Sequence, residues 1–341
     1  MSVSARRILI IKWGALGDVI VATPHIDVIA SAYPEARIRL LTAPAYAPLF
    51  AHDSRLELVV RERRGFREMA RTLAWVVAAR FDAVFDLQGN DRSAALTFVS
   101  RARLRTGLGP AYAYNRIPPS RAQRDRHIFD RLNGLLVHAG LPEAPPRPRL
   151  RVGEDERRRV RAWLDAHDVA GRPLVLLHAG ASRRWVSKRW PAGSFRRLAE
   201  MLRDAGLAPV WIGGPADADI NAPLAEAVGA DATGAFSLLE LAALGEQARF
   251  AVTSDSGPMH VLSGAGIPVY AFFGPTDWRR SHAVGNAERV LRHPVPCSPC
   301  HLPVCPPDKH HACLEQLSVE TVVDRLERDG LLNAAEPVQP E

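Results

Sequence analysis

The sequence predicts two doubly wound α/β domains in series, and three observations predict them. Apolar runs of strand length alternate with helical stretches, the rhythm of a parallel sheet covered by helices. That rhythm stops at Pro142-Glu143-Ala144-Pro145-Pro146-Arg147-Pro148, which can continue neither a helix nor a central strand, and then restarts. The chain is 341 residues long, more than one ordinary core accommodates. The expected boundaries are 1–150, 151–330 and a frayed tail at 331–341. Ligands bind beyond the carboxyl ends of the strands in such sheets, so two of them facing each other would frame a cleft.

In the first half, residues 7–11 read as a strand and 19–32 as a helix with Pro24 near its start. Residues 36–41 and 56–60 read as strands, 66–80 as a helix and 82–87 as a further strand. Residues 155–167 fall within the expected second domain, with the region crossing between the halves as the alternative. In the second half, 174–180 and 208–214 are strands ending in glycine, each followed by a helix, at 193–205 and 217–228. Helices at 237–247 and 257–264 alternate with strands at 249–253 and 267–273, and 318–330 is the last helix.

Composition narrows the function classes. Hydrophobic residues make up 47 % and charged residues 24 %, as in soluble globular proteins. No apolar run reaches the roughly 18 residues of a membrane span. The first residues, MSVSARRILIIKWG, lack a signal peptide's cleavage site and read as a first strand, so a cytoplasmic location is expected. The net charge of +7 is uneven: residues 1–150 hold 23 Lys and Arg against 13 Asp and Glu, the rest 21 against 24. A half at +10 suits an anionic partner, whether nucleic acid, an anionic membrane surface or a phosphorylated substrate; a solvated arginine-rich surface is the plainer account. Lysine occurs only at 12, 188 and 309, as if kept for places that need a compact ammonium.

Four motifs carry candidate chemistry. KWGALGDVI (12–20) follows the first strand with G-x-x-G-D, and Asp18 stands too early to read a ribose as the distal acid of a dinucleotide site does. A carboxylate there is either a dipole-favoured group at a helix N-terminus or a base able to take a proton from an attacking hydroxyl. HAGASRRWVSKRWP (178–191) joins a strand end, a glycine turn, Ser182, Lys188 and a helix starting near Pro191. Backbone N–H groups of such turns hold anions, and Ser182 and Lys188 would add a hydroxyl and a point charge for a diphosphate. VTSDSGPMHVLSGAGIPVYAFFGPTDW (252–278) runs a strand into Asp255-Ser256-Gly257-Pro258-Met259-His260, with a second glycine turn, Gly274–Asp277, after the next strand. Asp255 and Ser256 suit helix capping. They also suit a pocket in which Asp255 accepts from sugar hydroxyls while N–H groups near Gly257 to His260 face phosphate. Last, all four cysteines fall within 17 residues as Cys297, Cys300, Cys305 and Cys313, near His301, His310 and His311. Structural zinc, reduced thiols in a tight loop, and disulfides are the three readings, and a cytosolic setting disfavours the last.

Together KWGALGDVIVATP, GASRRWVSKRWP, VTSDSGPMHVLSGAGIPVYAFFGPTDW and CSPCHLPVCPPDKHHACL resemble, in order and spacing, the heptosyltransferase family of glycosyltransferases, family 9. The resemblance covers roughly residues 7–325 and is most specific in D-S-G-P-M-H and F-G-P-T. It implies a GT-B fold, two Rossmann-like domains around a cleft, with the acceptor on the N-terminal domain and the nucleotide sugar on the C-terminal one. It implies inverting transfer of a heptose or related sugar from an ADP-sugar to an anionic saccharide or glycolipid of the lipopolysaccharide type. No catalytic cofactor is implied, and structural zinc at the cysteines stays an open expectation. Asp18 matches the family's general base. Ser182, Lys188, Asp255, Ser256, Gly257, Met259 and His260 form the implied donor set, with Lys12 and Gly17 on the acceptor side. Contact with the cytoplasmic face of the inner membrane is implied and nucleic acid is not. One departure stands out: W-G-A-L precedes the aspartate without the serine or threonine some heptosyltransferases carry. Two other classes compete. A GT-B sugar-nucleotide epimerase would need no acceptor. A nucleotide- or nucleic-acid-binding protein would use the basic half, yet residues 101–131 offer few aromatics beyond Tyr112, Tyr114 and Phe129. A dehydrogenase lacks its G-x-G-x-x-G.

Overall fold

The computed structural model describes residues 5–332 apart from 64 and 120–124. The chain divides into two compact units, the first ending at Arg151 and the second starting at Val152. The first unit comprises β1 (Arg7–Ile11), α1 (Leu16–Val21), α2 (Thr23–Ala32), β2 (Arg37–Thr42), β3 (Leu56–Val60), α3 (Phe66–Ala79), β4 (Ala83–Asp86), α4 (Asp91–Val99), β5 (Leu104–Gly107) and α5 (Ile128–His138). Its five strands are all parallel, in the order β3-β2-β1-β4-β5. In β1 only Arg7 is exposed and β4 is wholly buried, so both strands read as continuous apolar runs covered on two faces.

The second unit comprises α6 (Glu154–Ala166), β6 (Leu174–His178), α7 (Ala192–Asp204), β7 (Ala208–Trp211), α8 (Ala218–Ala227), β8 (Ala230–Asp231), α9 (Leu238–Gly245), β9 (Ala248–Ser254), α10 (Gly257–Gly264), β10 (Val269–Phe272), α11 (Trp278–Ser281), β11 (Val290–Leu291), α12 (Ala312–Glu315) and α13 (Val319–Arg328). The sheet order is β11-β10-β9-β6-β7-β8, again all parallel, which is the six-stranded Rossmann order. Its core is aromatic: Trp190 stacks on Phe272 at 4.5 Å between ring centroids, and Phe195 meets both edge-on.

Two local expectations change and one alternative is decided. The helix expected over 19–32 is two helices. Pro24 falls at the start of α2 and has no N–H to continue the ladder of α1, so Ala22 ends one helix and caps the next. Residues 155–167 belong to the second unit as α6, whose Arg157 forms a two-pronged pair with Glu246 at 2.8 and 3.0 Å. The expected tail at 331–341 begins with Leu331, which is packed in the core, while residues from 333 on lie outside the described ones.

Candidate active site

Each sheet reverses its strand order once, between β1 and β4 in the first unit and between β6 and β9 in the second. Loops leaving adjacent strands in opposite directions open a crevice at such a point. The sequence motifs fall at both reversals.

In the first unit β1 runs into Lys12-Trp13-Gly14-Ala15-Leu16-Gly17-Asp18. Gly14 has φ +123°, and a side chain there would collide with the Tyr46 ring. This glycine therefore serves backbone shape and packing. Gly17 and Asp18 lie in the first turn of α1, both half-buried, and the helix has no side-chain cap at Ala15. A carboxylate in that turn is favoured by the helix dipole. Lys12 lies within this wall. It is 1 % exposed and donates from Nζ to the Leu87 carbonyl at 2.9 Å. Burial pushes its pKa below the ordinary lysine value, and the negative charges of Asp18 and Asp86 oppose that shift. Asp86, at the end of β4, is fully buried. It accepts from the Gln88 and Gly89 amides at 3.0 and 2.9 Å and from the Tyr114 hydroxyl at 2.7 Å. Burial raises its pKa against the pull of those donors.

In the second unit three loops converge. The turn after β6 carries Lys188, the end of β9 carries Asp255, and the turn after β10 carries Thr276. Lys188 Nζ pairs with Asp255 Oδ2 at 2.7 Å, and Thr276 Oγ1 donates to the same oxygen at 2.7 Å. The Lys188 side chain is 18 % exposed and rests over the Trp185 ring at 5.0 Å. Trp190, two residues on, is buried and donates its Nε1–H to the Leu317 carbonyl at 2.9 Å, which pins the lysine-bearing turn to the core. Burying an aromatic of that size contributes roughly 2–3 kcal/mol.

Ser256 stands at the N-cap of α10 in extended conformation, yet the helix has no side-chain cap hydrogen bond. Its hydroxyl lies 3.2 Å from His178 Nδ1, and His178 Nε2 lies 3.6 Å from Asp217 Oδ2. The Ser256 hydroxyl also lies 3.4 Å from the Ser254 carbonyl, so His178 stands between this hydroxyl and the Asp217 carboxylate. Burial raises the Asp217 pKa, but the His178 ring and the Gly214 amide outweigh it and leave the carboxyl below its usual value. A side chain at Gly180 would collide with the Asp217 carboxylate, which is why the turn after β6 is glycine.

A family model for glycosyltransferase family 9 (heptosyltransferase) matches residues 69–311. The chain belongs to glycosyltransferase family 9. Lipopolysaccharide heptosyltransferase 1 of Pseudomonas aeruginosa is 27 % identical over 330 residues, covering 88 % of this chain and 87 % of the relative. Among solved structures, the family 9 glycosyl transferase of Veillonella parvula superposes with a TM-score of 0.79 at 23 % identity, over 97 % of this chain and 98 % of that one. The ADP-heptose lipopolysaccharide heptosyltransferase II of E. coli gives 0.74 at 20 %, over 96 % and 98 %. The two Rossmann-like units of the expected GT-B fold are thus the fold of solved family members.

Within this family 9 enzyme the sequence-predicted residues separate into groups. Lys188, Asp255 and Ser256 sit on converging loops, and Gly257 and His260 lie half-buried in the first turn of α10. Ser182 is exposed on the turn after β6. The Met259 side chain, expected among the donor contacts, is fully buried in α10, so only its backbone N–H is left to face a ligand. Lys12, expected on the acceptor side, is buried with its ammonium on the Leu87 carbonyl. The expected structural zinc finds no ligand set: among the described residues no group of three or more His, Cys, Asp or Glu is arranged to hold a metal ion. The four cysteines are free thiols. Cys313 is part of the hydrophobic core, and burial pushes its thiol up to about 11. No helix among the described residues is long and apolar enough to cross a membrane.

Sequence reasoning left His178, Asp217, Thr276, Asp86 and Tyr114 without roles. His178, Asp217 and Thr276 did carry a signal, since each stands at or just beyond a strand end beside glycine. Asp86 and Tyr114 are 28 residues apart and meet only through the pairing of β4 with β5.

Proposed function

We propose that this glycosyltransferase moves a heptose from an ADP-activated donor to a hydroxyl of a lipopolysaccharide-type acceptor, inverting the anomeric centre in one displacement. Asp18 takes the proton from the acceptor hydroxyl as its oxygen attacks the anomeric carbon, and ADP departs. The first unit serves the acceptor and the second the nucleotide sugar. Lys188 and the N–H groups at the start of α10 stabilise the charge gathering on the leaving diphosphate. Asp255 and Thr276 hold Lys188 in place, Ser256 and His260 border the same turn, and Ser182 adds a hydroxyl from the exposed loop. Lys12 braces the loop that carries Asp18 through its hydrogen bond to the Leu87 carbonyl. Catalysis requires no cofactor. An anionic glycolipid acceptor suits the basic first half and would bring the enzyme to the cytoplasmic face of the inner membrane.

The observation that carries this reading is the Lys188–Asp255–Thr276 cluster at the strand-order reversal of the second unit. An ammonium at the solvent edge, paired with a carboxylate that also accepts from a hydroxyl and next to a helix start without a side-chain cap, suits a diphosphate. Melting temperature measured with ADP, UDP, GDP and CMP at equal concentration tests it. The expected outcome is a rise with ADP alone, lost in Lys188→Met. A selective rise with another nucleotide removes the ADP-sugar, and no rise with any removes the donor site.

A further inference from the structure

The cysteine-bearing segment, residues 297–313, has no part in the mechanism above, yet it touches both turns that deliver the donor-site residues. We infer that this segment is a clasp setting the position of Lys188 and Thr276, with His311 as its positioning residue. The inference rests on the donor reading for its functional consequence, but not for its mechanics.

Five hydrogen bonds make the clasp. Ser187, the buried neighbour of Lys188, receives three of them. Its amide donates to the Pro303 carbonyl at 3.2 Å, its hydroxyl donates to the Leu302 carbonyl at 2.7 Å, and its carbonyl lies 2.7 Å from His311 Nε2. A carbonyl only accepts, so His311 donates from Nε2. The other two reach the turn that carries Thr276. Ser298 Oγ donates to the Gly274 carbonyl at 2.6 Å, and the His301 amide donates to the Pro275 carbonyl at 2.7 Å.

Packing follows the same lines. Ser187, Gly274 and the four cysteines line one cavity of about 70 Å³. A Cβ at Gly274 would lie 2.7 Å from Cys313 Sγ, so the turn rests directly on the segment. Lys188 and Thr276 converge on one oxygen of Asp255. Two turns that meet at a single atom must be held in register, and among the described contacts segment 297–313 is bonded to both. Ser187 is the stiffest joint: its amide, hydroxyl and carbonyl are all engaged, so the backbone entering Lys188 has little freedom. His311 completes that joint, and losing it leaves a carbonyl beside a 3 % exposed residue without its donor.

The test compares His311→Ala, His311→Gln and Ser298→Ala with the unaltered protein. His311 has φ +50°, a strain that Ala and Gln share, so the pair isolates the side-chain donor. Hydrogen exchange at the amides of 186–189 and 274–278 reads the mechanics with no ligand present. Steady-state kinetics with an ADP-heptose donor read the consequence. His311→Ala is expected to speed exchange in the 186–189 peptide and to raise donor KM roughly 5- to 20-fold with kcat within about twofold. His311→Gln, whose amide can donate to the same carbonyl, restores both. Ser298→Ala loosens 274–278 in the same manner. Lys309→Ala, in the same segment with its ammonium on Asp308 at 3.1 Å and no share in the five hydrogen bonds, changes neither. Unchanged exchange in both peptides overturns the clasp. Faster exchange in a protein whose unaltered form binds no ADP-sugar overturns the donor reading instead and leaves the clasp standing.

Discussion

Two of the three lysines stand in the loops that leave the central strands β1 and β6, Lys12 directly after its strand and Lys188 at the end of a longer turn, and their surroundings differ completely. Lys12 is 1 % exposed and is spent on the Leu87 carbonyl and the charges of Asp18 and Asp86. Lys188 is 18 % exposed, lies across an aromatic ring, and shares its carboxylate with a threonine. A sealed ammonium can only shape the field around it. One at the edge of solvent can exchange partners when a ligand brings a better anion. The same residue on the same topology therefore serves support in the first unit and reception in the second. Burial separates the two roles, since it removes water and access together.

The division of labour is most exposed to failure at Asp18. Asp18→Asn is expected to lower kcat about a thousandfold while donor KM stays within about twofold, as read by steady-state kinetics. A raised donor KM with unchanged kcat would return Asp18 to a capping role and dissolve the contrast. Next comes Lys12→Met, which leaves the Leu87 carbonyl without its buried donor. It should cost about 1–3 kcal/mol in urea unfolding. Lys188→Met, which breaks a 2.7 Å pair to a 7 % exposed carboxylate that keeps Thr276, should cost about 2–3 kcal/mol by the same measurement.

The third test concerns acid and again singles out the first unit. His25 is buried, with Nε2 3.2 Å from the Phe129 carbonyl, and burial pushes its pKa down to about 4 from 6.5. The unfolded chain takes a proton near 6.5 that the folded chain refuses until about 4. Stability therefore falls as pH drops through that window and levels off below it. The loss amounts to roughly 3 kcal/mol, and His25→Gln should flatten this limb in unfolding measured from pH 7 to pH 4.

Much of the fold was legible because buried parallel strands announce themselves. β1, β2, β3, β4, β6, β7, β9 and β10 are apolar runs, and each was expected within a few residues. The stretch from 88 to 141 was not resolved into elements, although α4 carries a readable capping box, Asn90 and Ser93. β5 is only Leu104–Gly107, with two polar residues inside it, too short and mixed for a periodic signal. At the site, Lys188, Asp255 and Ser256 could be named because strand-end turns concentrate chemistry. What could not be read was which of the named residues face outward. Met259 and Lys12 occupy motif positions with binding chemistry in their side chains, and both are buried.

By itself the sequence determined the parallel α/β class, the break near the proline-rich segment, the glycine turns after the strands and the family. These depend on local periodicity, on backbone freedom at glycine and on motif spacing, all of which are written along the chain. Tertiary structure decided which groups meet. Asp86 found Tyr114, His178 found Asp217 and Ser256, and His311 found Ser187 across 124 residues. It also decided burial, and with it the direction in which Lys12 and Asp86 shift. Partners and desolvation arise from strand order and packing, and neither is a property of neighbours in sequence.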